Sequence, residues 1–337
     1  MRAAVYRRFG GPDVVTVADI PTPAPRAGEI LIRVHASTVS AADHRSRAKD
    51  VPLGLAIPSS LVLGFFRPRR RVLGMDVSGT VVAVGGNVHG FAPGDEVIAM
   101  LGSRFGAHAE YAVINAQGAV VAKPRGLSFE DAAAIVFGGI TAQAYLNQID
   151  VHRGTRVLVN GASGAVGSAV VQLTHAVGAH VTGVTSDANR AMVTALGADE
   201  IVDYHVDDFA TGGQAFNVIV DCVGNAPLRR VQNKLATGGA LLLVAGDLRS
   251  MISARRDEKR LGITIVTSPG TYRKEDLSCI AKLADTGTLR PIIDRTYPLD
   301  AVADAHRYVD TGRKRGSVIL SISTSPAASL EWLPHGL

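Results

Sequence analysis

The stretch RVLVNGASGAVGSAVVQL, residues 156–173, decides the fold prediction. It contains an apolar strand, a glycine-rich turn and the start of a helix, the order found where a helix N-terminus binds a phosphate group. Gly164 allows the backbone to approach a pyrophosphate, and Gly167 allows the helix to pack closely on the strand. Ala162 stands at the first glycine position of the usual G-x-G-x-x-G pattern. We therefore predict a dinucleotide-binding loop. Its residues are Gly161, Ala162, Ser163, Gly164, Ala165, Val166 and Gly167.

Around this loop, short apolar strands alternate with helical stretches through residues 125–271. Strands are predicted at 156–159, 180–184, 217–222, 240–245 and 263–266. A helix is predicted over 127–148, with Ser128 as its N-cap and Asp131 three residues later. Uninterrupted apolar strands that alternate with helices are typical of a parallel sheet buried on both faces. Residues 125–271 are therefore predicted to form a doubly wound α/β domain.

Residues 1–124 follow a different pattern. Their segments rich in Val and Ile, such as EILIRVHA and VSGTVVAV, are short and are separated by Gly, Pro, Asp and Asn. Strands this short and this regularly interrupted favour a closed or partly closed antiparallel barrel. After residue 271 the sequence predicts two further helices, over 275–285 and in LDAVADAHRYVD, and a last strand in GSVILSIS.

The composition limits the class of protein. With 337 residues, 47% hydrophobic and 19% charged, the chain is long enough for two globular domains and is unlike a disordered or fibrous protein. Its net charge of +5 suits an anionic small ligand, and no nucleic-acid partner is expected. Two cysteines are too few for a disulfide framework or a four-cysteine zinc lobe. Because the chain starts without an apolar leader and its longest apolar stretch, 51–66, is shorter than the ~20 residues of a membrane-spanning helix, we expect a cytoplasmic protein.

The end of the second strand of the α/β domain, HVTGVTS, bears on which dinucleotide binds. Sites for NAD usually present Asp or Glu about 20 residues beyond the glycines, where it holds the ribose 2′-hydroxyl. This chain has Thr185 and Ser186 there, with the cation of Arg190 nearby, although Asp187 is also close. A carboxylate would repel a 2′-phosphate, whereas hydroxyl groups and a cation would accept it. The pattern favours NADPH, and the alternative is an enzyme that does not discriminate.

Taken together, the motifs identify a family resemblance over nearly the whole chain, from Met1 to about Ser323. They are GGPDVVTV near the start, GMDVSGTVVAVGGNVHGFAPGDEV (74–97), GAHAEYAV (106–113), the predicted helix of 127–148, NGASGAVG, LGADEIVDY (196–204), DCVGN (221–225) and GSVIL (316–320). In this order they resemble the zinc-free branch of the medium-chain dehydrogenase/reductase superfamily, the quinone and enone reductases. The resemblance implies a GroES-like β-barrel catalytic domain, residues 1–124 completed by 272–337, and a Rossmann domain, 125–271. It also implies a homodimer that pairs the last Rossmann strand, near GITIV (262–266).

The resemblance also implies roles for individual residues. Thr141 would lie beside the nicotinamide ribose, and Tyr204 near the 2′-phosphate of NADPH. The turns at two strand ends would line the cofactor; these are Cys222, Val223 and Gly224, and Ala245 and Gly246. The basic run Arg313-Lys314-Arg315 lies near the place of a phosphate-binding arginine in relatives, but the match is offset, and the alternative is a solvated charged turn.

Zinc-dependent relatives carry Cys and His ligands where this chain has Ser40, Met75 and Asp76, so no metal site is predicted. Hydride transfer without a Lewis acid suits a quinone or the activated C=C of an enone or enal, where charge spreads onto a carbonyl oxygen. The candidate catalytic residues are Ser40, Asp43 and His44. For Asp43 the alternative is a carboxylate that interacts with the start of a helix, and for His44 a surface or packing role.

Three questions stay open at this point: the role of the apolar insert, the class of substrate, and whether the protein is an enzyme with substantial turnover. The apolar insert of residues 51–71 ends in Arg67-Pro-Arg69-Arg70-Arg71, and it suits a lid over an apolar pocket, a peripheral membrane contact, or a buried hairpin followed by solvated arginines. The substrate could instead be an enoyl thioester in a biosynthetic pathway. Instead of an active enzyme, the protein could be an NADPH-binding regulatory protein with little turnover, which could bind RNA through the arginines.

Overall fold

The computed structural model describes residues 1–50, 60, 61, 63–246 and 248–322. Seven strands make up its N-terminal part. They are β1 (Arg2–Tyr6), β2 (Val15–Asp19), β3 (Glu29–Thr38), β4 (Asp76–Val84), β5 (Glu96–Met100), β6 (Tyr111–Asn115) and β7 (Val120–Ala122). β1 and β2 pair with each other, while β3 pairs with both β4 and β6 in an antiparallel barrel-like sheet. β3 is long because its Ile30, Ile32 and Val34 are fully buried in the barrel core.

The second large sheet is entirely parallel, as the apolar strands predict. Its strands are β8 (Arg156–Asn160), β9 (His180–Thr185), β10 (Glu200–Asp203), β11 (Phe216–Asp221), β12 (Leu235–Leu243) and β13 (Thr264–Val266). The strand order is β10-β9-β8-β11-β12-β13. From β8 the chain first builds the sheet on one side, with β9 and β10, and then crosses to the other side for β11, so the topological switch point lies beside β8. Ligands of such sheets bind at this switch point, beyond the carboxyl ends of the strands. The glycine-rich turn at residues 161–164 begins there.

The segment after the parallel sheet returns to the barrel. Two further strands, β14 (Ile293–Pro298) and β15 (Ser317–Ser321), pair with each other, and β15 pairs antiparallel with β3. The predicted α/β fold, with a barrel-like sheet completed by the C-terminal segment and a Rossmann-type parallel sheet, is therefore confirmed. β13 is an edge strand of the described sheet, so its outer side is available for the predicted pairing with a second copy; the homodimer stays a prediction.

Eight described helices connect and cover the sheets. They are α1 (Ala41–Ala48), α2 (Phe129–Leu146), α3 (Ala165–Ala176), α4 (Arg190–Ala195), α5 (Leu228–Val231), α6 (Leu248–Leu261), α7 (Lys274–Asp285) and α8 (Val302–Asp310). α2 begins as predicted, because the Ser128 side chain accepts a hydrogen bond from the backbone N–H of Asp131. α7 packs Ile280 into the Rossmann core and Leu277 beside Met75 of the barrel, so it lies at the junction of the two predicted domains.

Within the described ranges, no helix is both long and apolar enough to cross a bilayer. Much of the apolar insert, residues 51–59 and 62, lies outside them. In its described remainder, Phe66 is 93% exposed, and Arg67, Arg69, Arg70 and Arg71 are exposed as well.

Candidate active site

A cleft of about 1390 Å³ runs from the switch point of the Rossmann sheet to the face of the barrel. The structure brings to its wall most residues predicted to bind the cofactor. They are Thr141, Gly161, Ser163, Gly164, Ala165, Val166, Gly167, Thr185, Ser186, Tyr204, Cys222, Val223 and Ala245. Four others are not in the wall, namely Ala162, Arg190, Gly224 and Gly246. Ala162 is fully buried beneath the loop, and Arg190 is held by Asp187 at 2.8 Å.

The phosphate loop has the geometry that its glycines predict. Gly161 follows β8 with a φ of +81°, a conformation that side chains rarely adopt. Gly164 precedes α3 and no side chain caps this helix, so the first-turn N–H groups are left for a ligand. A Cβ on Gly167 would lie 2.1 Å from the carbonyl oxygen of Gly161, which is why the helix can approach the loop so closely. These features fit the pyrophosphate of a dinucleotide.

The turn after β11 is shaped by the buried carboxylate of Asp221. Its oxygens accept hydrogen bonds from the backbone N–H groups of Val223, Gly224 and Ala226 and from the side chain of Asn160. This network presents Cys222 and Val223 to the cleft. Burial, together with the nearby charge of Asp221, raises the pKa of the Cys222 thiol, so the thiol stays protonated and is not a nucleophile.

The end of β9 contributes polar groups and no acid. The side chain of Thr185 is buried, and its Oγ1 has no hydrogen-bond partner in the described part of the chain. Ser186 and Asn189 stand beside it in the wall, and the Asn189 Oδ1 is likewise unpartnered among those residues. Such buried, unsatisfied oxygens are costly, and they fit hydrogen bonds from a bound ligand. Tyr204 is exposed at the rim and packs its ring against His205.

The basic run of the C-terminal segment lies against the phosphate loop. The backbone N–H of Gly316 donates to the carbonyl oxygen of Ser163 at 2.7 Å, and Arg313, Lys314 and Arg315 join the cleft wall. Among the described side chains, no carboxylate lies within ion-pair distance of Arg313 or Arg315. Burial lowers the pKa of Lys314 to about 8. Arg313 and Arg315 are exposed and Lys314 is half-buried, so the run is a charged turn that also borders the cleft.

Two of the three predicted catalytic residues are used in the structure of the barrel. Ser40 and Asp43 form a reciprocal capping box at the start of α1, and the second oxygen of Asp43 accepts from the N–H of Gly74 at 2.8 Å. Both side chains are buried, and neither lies in the wall of the cleft. The structure therefore gives Ser40 and Asp43 a capping role and not the predicted catalytic one, because their hydrogen-bonding groups are already occupied.

His44 is brought to the cleft. Its Nδ1 lies 2.6 Å from Oδ1 of Asp310, and its Nε2 lies 3.4 Å from Oδ2 of Asp50. The buried Arg47 binds the other oxygen of Asp310 at 2.6 Å. Asp310 is thus held between a cation and an imidazole, and it orients the His44 ring at the cleft.

Asp76, at the position of a metal-ligand segment in zinc-dependent relatives, is engaged in a different way. Its carboxyl is buried and accepts hydrogen bonds from the Ser37 hydroxyl, the Thr38 N–H and the Thr38 hydroxyl. Burial raises its pKa from 3.8 to about 7, despite those donors. In the described ranges, no three His, Cys, Asp or Glu side chains lie close enough together to hold a metal ion.

The raised pKa of Asp76 predicts a pH effect on stability. A carboxyl whose pKa is higher in the folded state favours folding at low pH, and this contribution is lost as the pH rises through about 7. The loss accumulates between the unfolded and the folded pKa values, so between pH 5 and 8 it should be about 2 to 3 kcal/mol in the free energy of unfolding, and it should level off above pH 8. Asp76→Asn should remove this part of the pH dependence, which urea unfolding at several pH values measures. Asp13→Asn, at an exposed carboxylate, is the control, and equal slopes for wild type and Asp76→Asn would contradict the assignment.

The structure also adds residues that sequence reasoning missed. Met75, Phe137, Tyr145 and Tyr272 line the cleft together with Thr141, and Met75, Phe137 and Tyr272 belong to one apolar cluster. Tyr272 lies in the loop between β13 and α7, and its hydroxyl is 3.3 Å from the Thr141 hydroxyl. No motif marks these residues, because they are distant in sequence and meet only through packing of the two sheets.

Two known families match separate parts of the chain. Residues 26–125 match the family described as the alcohol dehydrogenase GroES-like domain. Residues 196–320 match the family described as zinc-binding dehydrogenase.

Individual relatives cover nearly the whole chain. Quinone oxidoreductase of Pongo abelii is 30% identical over 325 residues, which cover 93% of this chain and 94% of the relative. The 2-methylene-furan-3-one reductase of Solanum lycopersicum is 30% identical over 341 residues, covering 95% and 79%. Among solved structures, the quinone oxidoreductase from Coxiella burnetii superposes with a TM-score of 0.83 at 28% identity, covering 96% of this chain and 99% of that one.

Proposed function

Because this chain belongs to the quinone oxidoreductase branch of the medium-chain dehydrogenase/reductase superfamily, we propose that it is an NADPH-dependent reductase of quinones or of activated C=C bonds in enones and enals. The chain is an oxidoreductase of that branch, which uses a nicotinamide cofactor. The observation that carries the proposal is the continuity of one cleft. The same cavity joins the phosphate loop to a largely apolar wall around Thr141, so a dinucleotide and a conjugated substrate would share it.

The choice of NADPH over NADH rests on the end of β9 and on the basic run. Thr185 stands where NAD sites usually carry an acid, and its buried hydroxyl oxygen has no partner among the described residues. Arg313 and Arg315 add positive charge to the same cleft, without an ion-pair partner among the described side chains, which suits a cofactor with an extra phosphate. When bound, the reduced nicotinamide supplies the hydride, and the protein holds it beside Thr141.

A mechanism without a catalytic metal is part of the proposal. Ser40 caps α1, and the oxygens of Asp76 are taken by Ser37 and Thr38, so neither offers a free ligand. In an enone or a quinone, the electron pair displaced by hydride addition moves onto a carbonyl oxygen, where hydrogen-bond donors stabilise it. Simple alcohols lack this route and need a Lewis acid to stabilise the alkoxide.

His44 is proposed as the source of the proton that completes the reduction. After hydride adds to the β-carbon of an enone, the α-carbon needs one proton; a quinone needs one on oxygen. The imidazole borders the cleft, and its Nδ1 lies 2.6 Å from Oδ1 of Asp310, which holds the ring in place. Proton release to the substrate would be followed by uptake from solvent, since His44 is only half-buried.

The test is turnover by chelator-treated protein. NADPH oxidation is measured with 9,10-phenanthrenequinone, 1,4-benzoquinone and 2-hexenal, and NADH is measured in parallel. We expect turnover without metal, faster with NADPH, and no gain when Zn²⁺ is added back. In the same assay His44→Gln should lower kcat while the Kd for NADPH stays the same. Activity that appears only with Zn²⁺, or binding of NADPH without reduction of any acceptor, would refute the proposal.

A further inference from the structure

Tyr272 occupies a firmly held position at the substrate end of the cleft. The residue after it, Arg273, pairs with Asp276 at 2.7 Å, and Asp276 in turn accepts from Asn147 at the end of α2. The Tyr272 ring packs against the apolar cluster that contains Met75. The loop between β13 and α7 is thereby tied to α2, and the ring is kept against the barrel face of the cleft.

The hydroxyl groups of Tyr272 and Tyr145, which both line the cleft, have different hydrogen-bond partners. Tyr145 donates its O–H to the carbonyl oxygen of Leu243 at 3.1 Å and has no proton left for a ligand. Among the residues that the structure describes, Tyr272 has Thr141 as its one hydrogen-bond partner, at 3.3 Å, and in that pair either oxygen can donate. When Thr141 donates, the Tyr272 proton is free to point into the cleft. Burial raises the pKa of Tyr272, so the phenol stays protonated at neutral pH and serves as a donor.

We propose that Tyr272 donates a hydrogen bond to the carbonyl oxygen of the conjugated substrate, with Thr141 donating to the phenol oxygen. The inference rests on the proposed function and assigns one end of the cleft to the carbonyl oxygen of an enone, enal or quinone. As a C–H bond forms at the β-carbon, the C=C π pair moves toward oxygen and gives an enolate. Tyr272 stabilises that oxygen and keeps its own proton, and the proton for the α-carbon comes from His44 or water. A donor aimed at developing charge acts most strongly in such a partly buried site.

Kinetics provide the first test. Tyr272→Phe removes the hydroxyl and keeps the ring that packs beside Met75. We expect kcat/KM for 2-hexenal to fall by about 100- to 1,000-fold, the range seen when one such donor is lost. The Kd for NADPH, from fluorescence titration, should change by less than about twofold. The control is Tyr308→Phe, which removes a hydroxyl bonded to Asp294 outside the cleft. Equal kcat/KM for Tyr272→Phe and wild type would overturn the assignment.

A spectroscopic test does not depend on turnover. The enal 4-(dimethylamino)cinnamaldehyde absorbs at longer wavelength when its carbonyl oxygen accepts a hydrogen bond, and with NADP⁺ it cannot be reduced. We expect a red shift in wild type and in Tyr308→Phe, and its loss in Tyr272→Phe. A red shift that persists in Tyr272→Phe, with or without weaker cofactor binding, would overturn the assignment. If the wild type reduces no acceptor, the proposed function fails, and this absorbance comparison still decides whether Tyr272 binds a carbonyl.

Discussion

Gly167→Ala is expected to weaken NADPH binding by at least about 100-fold, equivalent to about 3 kcal/mol. The added Cβ would lie 2.1 Å from the Gly161 oxygen and 3.0 Å from the Ala162 Cα. Both are backbone atoms, so α3 must move away from the loop and carry its N–H groups off the pyrophosphate. Fluorescence titration with NADPH measures the effect. Gly126→Ala is the control, because its Cβ would meet no atom within 4 Å.

A second variant separates binding from folding. Gly167→Ala could also lower stability, since the helix packs on β8 through this residue. At Gly164 the added Cβ would lie 3.5 Å from the Gly161 oxygen, an ordinary contact, so Gly164→Ala should melt close to the wild type. It should nevertheless bind NADPH more weakly, because the methyl group stands where the phosphates approach. Wild-type affinity in both variants would show that the loop does not hold the pyrophosphate.

The second large effect is expected at Thr185, where an acid should reverse the cofactor preference. Thr185→Asp sets a carboxylate against the 2′-phosphate of NADPH, and in a buried position this repulsion is poorly screened. We expect kcat/KM with NADPH to fall by about 100-fold, while NADH is affected little or is favoured because the carboxylate can accept from its ribose hydroxyls. The ratio of kcat/KM for the two cofactors is the measurement.

Thr185→Asn is the matched control for that experiment. It has nearly the shape of the aspartate without its charge, so it should keep most of the NADPH preference. An unchanged ratio in Thr185→Asp would place the 2′-phosphate elsewhere in the cleft. Arg313 and Arg315, two cations of its wall, would then be the next positions to vary.

The features that could be predicted from the sequence are those formed by residues close together along the chain. The phosphate loop, the N-cap of α2 and the alternation of apolar strands with helices are each encoded by residues close together in the chain. Helix caps, glycine conformations and strand periodicity depend on neighbouring residues, so a single sequence carries them. The family resemblance extended this to the order of the two domains.

Only the tertiary structure decided which side chains face the cleft. Ser40, Asp43 and His44 are adjacent in sequence, yet the capping box turns the first two into the barrel while His44 meets Asp310 at the cleft. The contact of Gly316 with Ser163 depends on the C-terminal segment, whose β15 pairs with β3.

The contact between Tyr272 and Thr141 arises in the same way, through the packing of α7 on α2. These contacts join residues far apart along the chain. Their causes are the packing of α7 on α2 and the pairing of β15 with β3, and no local pattern in the sequence encodes either of them. The sequence by itself therefore predicted a dinucleotide site, and the fold decided which groups line the cleft around it.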